Sequence, residues 1–244
     1  MKSIILAAGR GSRMGKLTDM LPKCMLTLKG EPLIHWQIRA LADANINKIA
    51  VVCGYQKHAV QADGISEKID NPRWYQTNMV RSLMYADAWL KSDICIVSYG
   101  DIFYESSGVA TLLDCDADIA ITYDLKFEVL WKTRQENPLN DLETFRVDGK
   151  GMLVTIGGQP QSIAEIQGQY MGLLKFTPDG WKQAVKYLNR LSEDKIDKLD
   201  MTSLLQGLIE KDVPVKTIPY DGTWGEVDTV GDLELYENTC HFLR

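Results

Sequence analysis

The feature that most restricts the fold of this chain is a short apolar segment, Ile4–Ala8, that runs directly into a glycine-rich loop. A continuous apolar run of this length, bounded by glycine, is typical of a strand buried on both faces. Glycines at positions 9, 11 and 15 let the backbone approach a ligand closely, and consecutive N–H groups in such a loop hold phosphate oxygens. The same stretch carries the cations Arg10, Arg13, Lys16 and Lys23. The loop therefore predicts a nucleotide bound through its phosphates.

The spacing of the glycines excludes two common phosphate-binding loops. A dinucleotide-binding loop has the pattern G-x-G-x-x-G and opens a helix, whereas Gly15 comes one residue late and Pro22 would interrupt that helix. A P-loop has four residues between its first glycine and a Gly-Lys pair, followed by Ser or Thr. Here three residues separate Gly11 from Gly15, and Leu17 follows Lys16. An ordinary strand-to-helix turn with solvated cations remains an alternative at this point.

Apolar runs and amphipathic segments alternate along the first half of the chain. Strands are predicted at 4–8, 48–53, 94–98 and 119–122, and helices at 32–44 and 79–90. Such alternation is typical of an α/β fold with a Rossmann-like, mainly parallel sheet covered by helices on both faces. In these folds ligands bind beyond the carboxyl ends of the strands, which is where the glycine-rich loop follows its strand.

The pattern loosens after about residue 124. Two short apolar segments, Thr144–Val147 and Met152–Ile156, flank Asp148-Gly149 and predict a β-hairpin. Later strands are predicted at 169–176 and 215–218, and helices at 180–191, 201–211 and 231–242. Since no linker-like segment interrupts the chain, we expect one domain of residues 1–244. It would have a nucleotide-binding half at about 1–123 and an inserted, β-rich acceptor-binding half at about 124–244.

Charge and composition limit the classes of partner. The net charge of −6 and the pI near 5.2 argue against nucleic-acid binding, which usually requires a basic surface. The five cysteines are odd in number and widely spaced, which favours reduced thiols. The N-terminal apolar run is too short for a signal peptide, and no apolar run reaches the length of a membrane span. We therefore expect a cytoplasmic protein without a nucleic-acid or membrane partner.

Three separated motifs connect the glycine-rich loop to a known family. Ala7-Ala8-Gly9-x-Gly11-Ser12-Arg13, then Pro22-Lys23, and then Gly30-x-Pro32-Leu33-Ile34 resemble the signature of the sugar-phosphate nucleotidylyltransferases. The resemblance continues in pieces to the C-terminus, and it implies the nucleotide-diphospho-sugar transferase type of fold. It also implies a reaction in which a nucleoside triphosphate is joined to a small phosphorylated acceptor and pyrophosphate is released.

Two aspartates occupy positions at which this family holds a metal ion. Asp101 follows the predicted strand 94–98 directly after Gly100, and Asp228 lies in a late Glu-x-Asp segment before the final predicted helix. The resemblance implies that both bind Mg²⁺, which commonly takes one or two protein carboxylates together with substrate phosphates and waters. A turn or a helix cap is the alternative role for either aspartate taken singly.

The resemblance also implies roles around the nucleotide. Arg13 would hold the β- and γ-phosphates as a planar fork, and Lys23 would counter the charge that builds at the α-phosphate, so both are assigned as catalytic. The segment around Asn78 resembles the family segment that approaches the nucleotide, although Asn78 could instead be only the N-cap of the next helix. The predicted nucleotide-binding residues are Leu6, Ala7, Ala8, Gly9, Gly11, Ser12, Arg13, Lys23, Asn78 and Ser82.

The acceptor is indicated by weaker similarities. Segments at 22–25, 77–79 and 200–206 are closer to the small cytidylyltransferases than to hexose-1-phosphate enzymes. This implies CTP as the donor and phosphoglutamine, aminoethylphosphonate or phosphocholine as the acceptor, with a CDP-activated product for capsule or other cell-surface polysaccharide decoration. Segment 165–173 is most similar to the phosphoglutamine type. The predicted acceptor-binding residues are Glu165, Tyr170, Gly172, Arg134 and Trp131.

In this hypothesis Arg134 pairs with a carboxylate of the acceptor and Glu165 with its ammonium group, while aromatic faces suit a quaternary ammonium. An ordinary core position is an equally good interpretation of the aromatic residues. The alternative function is that of a sugar-1-phosphate nucleotidylyltransferase. A non-catalytic nucleotide-binding module is disfavoured because both catalytic cations and both aspartates are present, and a dinucleotide oxidoreductase is disfavoured by the glycine spacing. The expected partners are a nucleoside triphosphate, the acceptor and, as a candidate assembly, a second copy of the chain.

Overall fold

A computed structural model describes residues 1–135 and 137–239 of the chain. The strands in these ranges are β1 (Lys2–Ala7), β2 (Thr27–Leu28), β3 (Glu31–Pro32), β4 (Ile49–Cys53), β5 (Ile65–Asp70), β6 (Cys95–Tyr99), β7 (Ile102–Tyr104), β8 (Ile119–Asp124), β9 (Phe145–Val147), β10 (Leu153–Ile156), β11 (Gln169–Phe176), β12 (Lys216–Tyr220) and β13 (Trp224–Glu226).

The helices surround these strands. The α-helices are α1 (Leu33–Asp43), α2 (Met79–Tyr85), α3 (Asp87–Ser92), α4 (Ser106–Leu113), α5 (Phe127–Arg134), α6 (Pro178–Leu188), α7 (Glu193–Lys198), α8 (Met201–Ile209) and α9 (Val230–Thr239). Short 3₁₀ helices cover Ser12–Thr18, Lys23–Met25, Pro138–Asn140 and Ile163–Glu165. Within the described ranges, no helix combines the length and the apolar character needed to cross a membrane.

The centre of the molecule is a seven-stranded sheet in the spatial order β12-β8-β11-β6-β1-β4-β5. β11 runs antiparallel to its neighbours β6 and β8, and the other neighbouring pairs in the sheet are parallel. β1, β4, β6 and β8 are buried along nearly their whole length, because helices cover both faces of the sheet. This confirms the mainly parallel α/β sheet predicted from the continuous apolar runs.

The second half of the chain contributes a hairpin, β9–β10, and two strands of the central sheet, β11 and β12. β9 and β10 pair antiparallel, as predicted. The carboxylate of Asp148 accepts the N–H groups of Lys150 and Met152, each at 2.8 Å, and so closes the turn. Gly151, not Gly149, has the positive φ of 72° that favours glycine. The predicted hairpin is therefore confirmed, with its left-handed residue two positions further along.

Some elements differ from the sequence prediction. The single helix predicted at 79–90 is two helices, α2 and α3, interrupted at Ala86. The edge strand β5 was not predicted, because four of its six residues are exposed and two of these, Glu67 and Lys68, interrupt any alternation of apolar and polar residues. Helices α4 and α7 were also not predicted. The expected end of the last helix, 240–242, lies outside the described residues.

The pairing of β1 with β6 brings the two predicted ligand-binding segments together. Leu6 lies opposite Tyr99 in this parallel pair, and the N–H of Gly100 donates to the carbonyl of Leu6 at 2.9 Å. A Cβ atom on Gly100 would lie 2.7 Å from that same carbonyl oxygen, so only glycine allows the approach. The glycine-rich loop and Asp101 therefore leave the sheet side by side at its carboxyl edge.

A small apolar cluster separate from the main core supports the loop from below. It contains Met14 from the loop, Trp36 from α1, Phe103 from β7 and Tyr236 from α9, all at least 94% buried. Phe103 and Tyr236 pack edge to face with ring centroids 4.9 Å apart. The cluster therefore anchors the loop to helices from both ends of the chain.

Candidate active site

Glycines determine the shape of the loop that follows β1. Gly11 has a left-handed conformation with φ 71°, and a Cβ atom there would lie 2.8 Å from the Cβ of Lys23. Gly15 also has a positive φ, of 56°. The hydroxyl of Thr18 lies within 3.1–3.2 Å of the carbonyl oxygens of Gly11 and Gly15 and ties the loop to its own 3₁₀ helix. Glycine is therefore needed at position 11 both for the backbone conformation and for the close packing of Lys23.

Three carboxylates meet at the carboxyl edge of the sheet. β13 pairs antiparallel with β7, so Glu226 lies opposite Ile102. The N–H of Val227 then donates to the carbonyl of Asp101 at 2.9 Å. As a result, carboxylate oxygens of Asp101, Glu226 and Asp228 lie within 4.8 Å of one another, although the chain separates the first from the other two by more than a hundred residues.

Two cations from the glycine-rich region neutralise this cluster. Lys23 Nζ lies 2.7 Å from Asp101 Oδ2 and 2.5 Å from Asp228 Oδ1, and Arg13 Nη2 lies 2.9 Å from Asp228 Oδ1. Burial alone would lower the pKa of Lys23, but the charges of Asp101 and Asp228 outweigh it and raise the pKa. Lys23 therefore stays protonated, with only 11% of its side chain exposed, whereas 63% of the Arg13 side chain is exposed.

The loop and the strand ends enclose a cleft of about 270 Å³. It is lined by Leu6, Ala7, Gly9, Gly11, Ser12, Arg13, Lys23, Cys24, Gly100 and Asp101. The structure thus brings together seven of the ten residues predicted to bind the nucleotide. Ala8 lies beside the cleft, where its carbonyl accepts the N–H of Tyr55 at 2.9 Å.

Comparison with known proteins identifies the family. A family model described as the MobA-like NTP transferase domain matches residues 3–155, which is more than half of the chain. The chain belongs to this family. The transferase is 36% identical to the CTP:phosphoglutamine cytidylyltransferase of Campylobacter jejuni, over 96% of this chain and 98% of the relative. It is therefore a nucleotidyltransferase.

Two further proteins agree with this assignment. The transferase is 26% identical to the 2-aminoethylphosphonate cytidylyltransferase of Lancefieldella rimae, over 74% of this chain and 73% of the relative. The solved structure of a CTP:phosphocholine cytidylyltransferase from Streptococcus pneumoniae superimposes with a TM-score of 0.74 at 19% identity, covering 98% of each chain. The fold is therefore the nucleotide-diphospho-sugar transferase type expected from the sequence motifs.

The carboxylate cluster of the transferase fits a divalent metal ion. Converging carboxylate oxygens are the hard ligands that Mg²⁺ prefers. Burial raises the pKa of Glu226 well above its usual value, and the negative charges of Asp228 and Asp101 add to the shift. A cation among these oxygens would relieve that repulsion.

Glu226 was not assigned as a ligand from the sequence, although a signal was present. It lies two residues before Asp228 at the end of β13, and side chains two residues apart in extended backbone project to the same side. The predicted Asp101–Asp228 pair is therefore one part of a three-carboxylate group.

Arg134 does not have the position predicted for an acceptor-binding residue. Only 1% of its side chain is exposed, and its Nε donates to Asp232 at 2.8 Å. Asp232 in turn accepts the N–H of Asp228 at 3.0 Å, at the start of α9. Arg134 thus lies behind the carboxylates and positions the segment that carries Asp228. Its charge is already neutralised inside the protein, which corrects the predicted pairing with an acceptor carboxylate.

Trp131 is likewise a core residue in the structure. It is 3% exposed, its Nε1 donates to Asp141 at 2.9 Å, and its ring packs 6.2 Å from that of Trp224. Since Trp131 is almost fully buried and its indole N–H is hydrogen-bonded inside the protein, it offers no exposed surface to an acceptor. Of the two interpretations considered, the structure supports the core position.

The other predicted acceptor residues lie along β11 and the 3₁₀ helix before it. Gly172 has φ 75°, and a Cβ atom there would lie 2.7 Å from the ring of Tyr99, so this glycine makes room for Tyr99. Tyr170 packs edge to face against the same ring at 5.8 Å. Glu165 is half-buried and accepts the N–H of Gln161 at 3.2 Å.

Asn78 and Ser82 have structural partners. The Oδ1 of Asn78 accepts the N–H of Met79 at 2.8 Å, and its Nδ2 donates to the carbonyl of Lys198 at 3.3 Å, so Asn78 is the N-cap of α2. Ser82 is 5% exposed and accepts a hydrogen bond from Nδ2 of the buried Asn71 at 2.9 Å. Neither side chain lines the cleft described above. The N-cap role of Asn78 is therefore confirmed, and its contact with the nucleotide stays a prediction.

Proposed function

We propose that this transferase moves the cytidylyl group of CTP onto a small phosphate or phosphonate and releases pyrophosphate. The observation that carries the proposal is the position of the Lys23 ammonium group between Asp101 and Asp228, at the wall of the glycine-lined cleft. Similarity over nearly the whole chain to a CTP:phosphoglutamine cytidylyltransferase supports CTP as the donor and a phosphoglutamine-like acceptor. Aminoethylphosphonate and phosphocholine are the neighbouring candidates.

The reaction requires alignment and charge neutralisation rather than a protein nucleophile. An oxygen of the acceptor forms a bond to the α-phosphorus while the bond from that phosphorus to the α,β-bridging oxygen breaks. The bridging oxygen keeps the electron pair and leaves as part of pyrophosphate. Lys23, which stays protonated, would counter the charge that develops at the α-phosphate. The exposed Arg13 has the freedom to reach the β- and γ-phosphates, and the loop N–H groups would hold their oxygens.

Asp101, Glu226 and Asp228 would hold Mg²⁺ in this site. When bound, Mg²⁺ supplies charge neutralisation and polarisation of the triphosphate. The chain's own contribution is the rigid arrangement of the three carboxylates, which the β13–β7 pairing and the Arg134–Asp232 ion pair position.

The proposal assigns the nucleotide to residues of about 1–123 and the acceptor to residues of about 124–244. The first half contributes the cleft and Asp101, and the second contributes Glu226 and Asp228. We place the reaction in the cytoplasm and its product in the decoration of cell-surface polysaccharide, as the phosphoglutamine-like acceptor suggests.

The experiment crosses four nucleoside triphosphates with a panel of acceptors and measures pyrophosphate release. The panel contains phosphoglutamine, aminoethylphosphonate, phosphocholine and glucose 1-phosphate. We expect the highest kcat/KM with CTP and one of the three nitrogen-containing acceptors. A tenfold advantage for glucose 1-phosphate with UTP, dTTP or GTP would instead establish a sugar-1-phosphate nucleotidylyltransferase. A Lys23→Met variant serves as the inactive control, and Lys16→Met, in the exposed part of the same loop, as the active one.

A further inference from the structure

A second group of polar residues lies outside the carboxylate cluster. At its centre is Glu143, just before β9, whose Oε1 is 3.4 Å from the hydroxyl of Thr202. The same hydroxyl lies 3.3 Å from Oδ1 of Asp200. Asp200 also caps α8 by accepting the N–H of Ser203 at 2.7 Å, which stabilises its negative charge. The group therefore places two carboxylates around one hydroxyl.

A buried glutamine holds the backbone of Glu143 in place. Gln169, at the start of β11, is 4% exposed. Its Nε2 donates to the carbonyl of Glu143 at 2.7 Å, and its Oε1 accepts the N–H of Glu143 at 3.3 Å. Both the oxygen and the nitrogen of the Gln169 amide thus bond to the backbone of Glu143. These two hydrogen bonds fix the backbone of Glu143, and therefore the origin of its side chain, relative to β11.

Glu143 has no cationic partner among the residues that the structure describes. Burial raises its pKa to about 7, and the nearby negative charge of Asp200 adds to the shift. Ionising a partly buried carboxylate without a cation is unfavourable, and an arriving cation would recover that free energy. The position therefore favours a positively charged ligand.

Tyr99 connects this group to the active site. Gln169, which holds Glu143, and Tyr170 are consecutive residues of β11, and Tyr170 packs against Tyr99, two residues before Asp101. The rings of Tyr99 and Tyr170 stand edge to face, and their hydroxyl groups are neighbours. The Tyr170 hydroxyl oxygen is fully buried and has no partner in hydrogen-bonding geometry among the described residues. The group thus has a buried hydroxyl oxygen with spare hydrogen-bonding capacity and a carboxylate without a cationic partner, and Tyr99 links both to the segment that carries Asp101.

We propose that Glu143 binds the cationic nitrogen of the acceptor and makes the transferase selective for phosphates and phosphonates that carry an ammonium or quaternary ammonium group. This inference rests on the proposed function. Tyr99 and Tyr170 would contribute a ring face and a hydroxyl to the same cation. Glu143 takes the role that the sequence assigned to Glu165, whose carboxylate already accepts an N–H from its own loop.

Matched acceptors test the charge without changing shape. Phosphocholine is compared with 3,3-dimethylbutyl phosphate, in which carbon replaces the quaternary nitrogen, and aminoethylphosphonate with propylphosphonate. For the wild type we expect kcat/KM at least tenfold higher for the cationic member of the preferred pair, chiefly through KM. In Glu143→Gln that preference should fall to less than threefold, while kcat/KM for the neutral member stays within twofold of wild type. The control Glu165→Gln should keep the wild-type preference.

A binding measurement separates failure of the inference from failure of the proposed function. The binding of both matched pairs of acceptors is measured by calorimetric titration, with and without Mg²⁺ and a non-hydrolysable CTP analogue. This measurement requires no turnover. Tighter binding of the cationic member by wild type but not by Glu143→Gln would support the inference even if CTP proves to be the wrong donor. Equal affinities for both members in the wild type, or loss of the preference in Glu165→Gln alone, would overturn it. Pyrophosphate release with an unchanged preference in Glu143→Gln would overturn it while leaving the cytidylyltransferase intact.

Discussion

The Nζ atom of Lys23 lies 2.7 Å from Oδ2 of Asp101, although 78 residues separate them in the chain. Lys23 follows the glycine-rich loop and Asp101 follows β6, so the contact joins the loop that we expect to bind phosphate to the carboxylates that we expect to bind Mg²⁺. It exists because β1 and β6 are parallel neighbours and because Gly11 has no side chain to keep Lys23 away. We therefore expect a substitution of Lys23 to reduce activity strongly.

Lys23→Ala should reduce kcat by about 10²–10³ while the chain remains folded, because one preorganised charge at the reacting phosphate typically contributes that much. Pyrophosphate release measures the rate, and circular dichroism checks the fold. The matched change Lys16→Ala should leave kcat within a few-fold of wild type. Near-normal turnover by a folded Lys23→Ala protein would remove Lys23 from the mechanism.

EDTA should abolish pyrophosphate release and added Mg²⁺ should restore it, because Lys23 and Arg13 cannot offset the charge of three carboxylates and a triphosphate together. Asp101→Asn, Asp228→Asn and Glu226→Gln should each raise the Mg²⁺ concentration needed for half-maximal rate. Titration of the rate with Mg²⁺ measures this concentration. If Glu226→Gln behaves like wild type across the titration, the site has two carboxylates, as the sequence motifs alone implied.

Arg134→Met should destabilise the protein by about 3–5 kcal/mol, because it leaves Asp232 and its neighbours as buried acids without a cation. Urea unfolding measures the free energy of unfolding of the wild type and the variant. Lys132→Met, on the exposed side of the same helix, breaks only the surface pair with Glu128 and should cost less than about 0.5 kcal/mol. At a saturating concentration of acceptor, Arg134→Met should change kcat by the same factor for every acceptor. Selective loss of carboxylate-bearing acceptors would return Arg134 to the acceptor site.

Gly11→Ala should lower stability by about 1–2 kcal/mol and also lower kcat, because the left-handed backbone at this position disfavours a side chain. The added Cβ would also displace Lys23, which is 2.8 Å away. Gly9→Ala is the control for stability, since a Cβ at Gly9 would meet nothing within 4 Å. Thermal unfolding compares the two variants. Equal melting temperatures would show that the loop adjusts freely.

The acceptor preference should depend on pH. With the pKa of Glu143 near 7, its carboxylate is charged above that pH and neutral below it, so the advantage of a cationic acceptor should shrink as pH falls from 8 to 6. Asp200, Asp141, Tyr99 and Tyr170 are the other titratable groups that surround it. Because an ammonium group lowers the second pKa of the phosphate, kcat/KM is expressed per concentration of dianionic acceptor, which a titration of each free compound provides, before the ratio of cationic to neutral acceptor is taken. The slope should disappear in Glu143→Gln, and a slope that persists there would assign the titration elsewhere.

The same pKa has a consequence for stability. The folded state raises the pKa of Glu143 from 4.5 to about 7, so folding favours the protonated carboxyl group. The contribution of Glu143 to the free energy of unfolding therefore falls as the pH rises from 4.5 through 7. Glu143→Gln should therefore be more stable than wild type at pH 8 and no more stable at pH 4. Urea unfolding at the two pH values measures the difference. A variant less stable than wild type at pH 8 would indicate that the hydrogen bond from Thr202 outweighs the cost of burying the Glu143 charge.

The glycine-rich loop and the strand before it could be predicted from the sequence because their signals are local. An apolar run predicts a buried strand wherever it occurs, and the glycines and cations that follow it limit what the loop can bind. β6 and β11 were predicted closely for the same reason. The edge strand β5 was not, because a strand without a buried face has no apolar alternation to detect.

The sequence by itself determined the sheet class, the glycine-rich loop after the first strand and the residue types available for catalysis, since all of these follow from neighbours along the chain. Only the tertiary structure decided which acids meet. The pairing of the short strands β13 and β7 places Glu226 beside Asp101 and Asp228. The ion pair with Asp232 holds Arg134 inside the protein, away from an acceptor. Glu143 became a candidate only when Gln169 clamped its backbone beside Tyr99. Burial and the proximity of distant charges set these roles, and neither is encoded in the spacing of residues along a sequence.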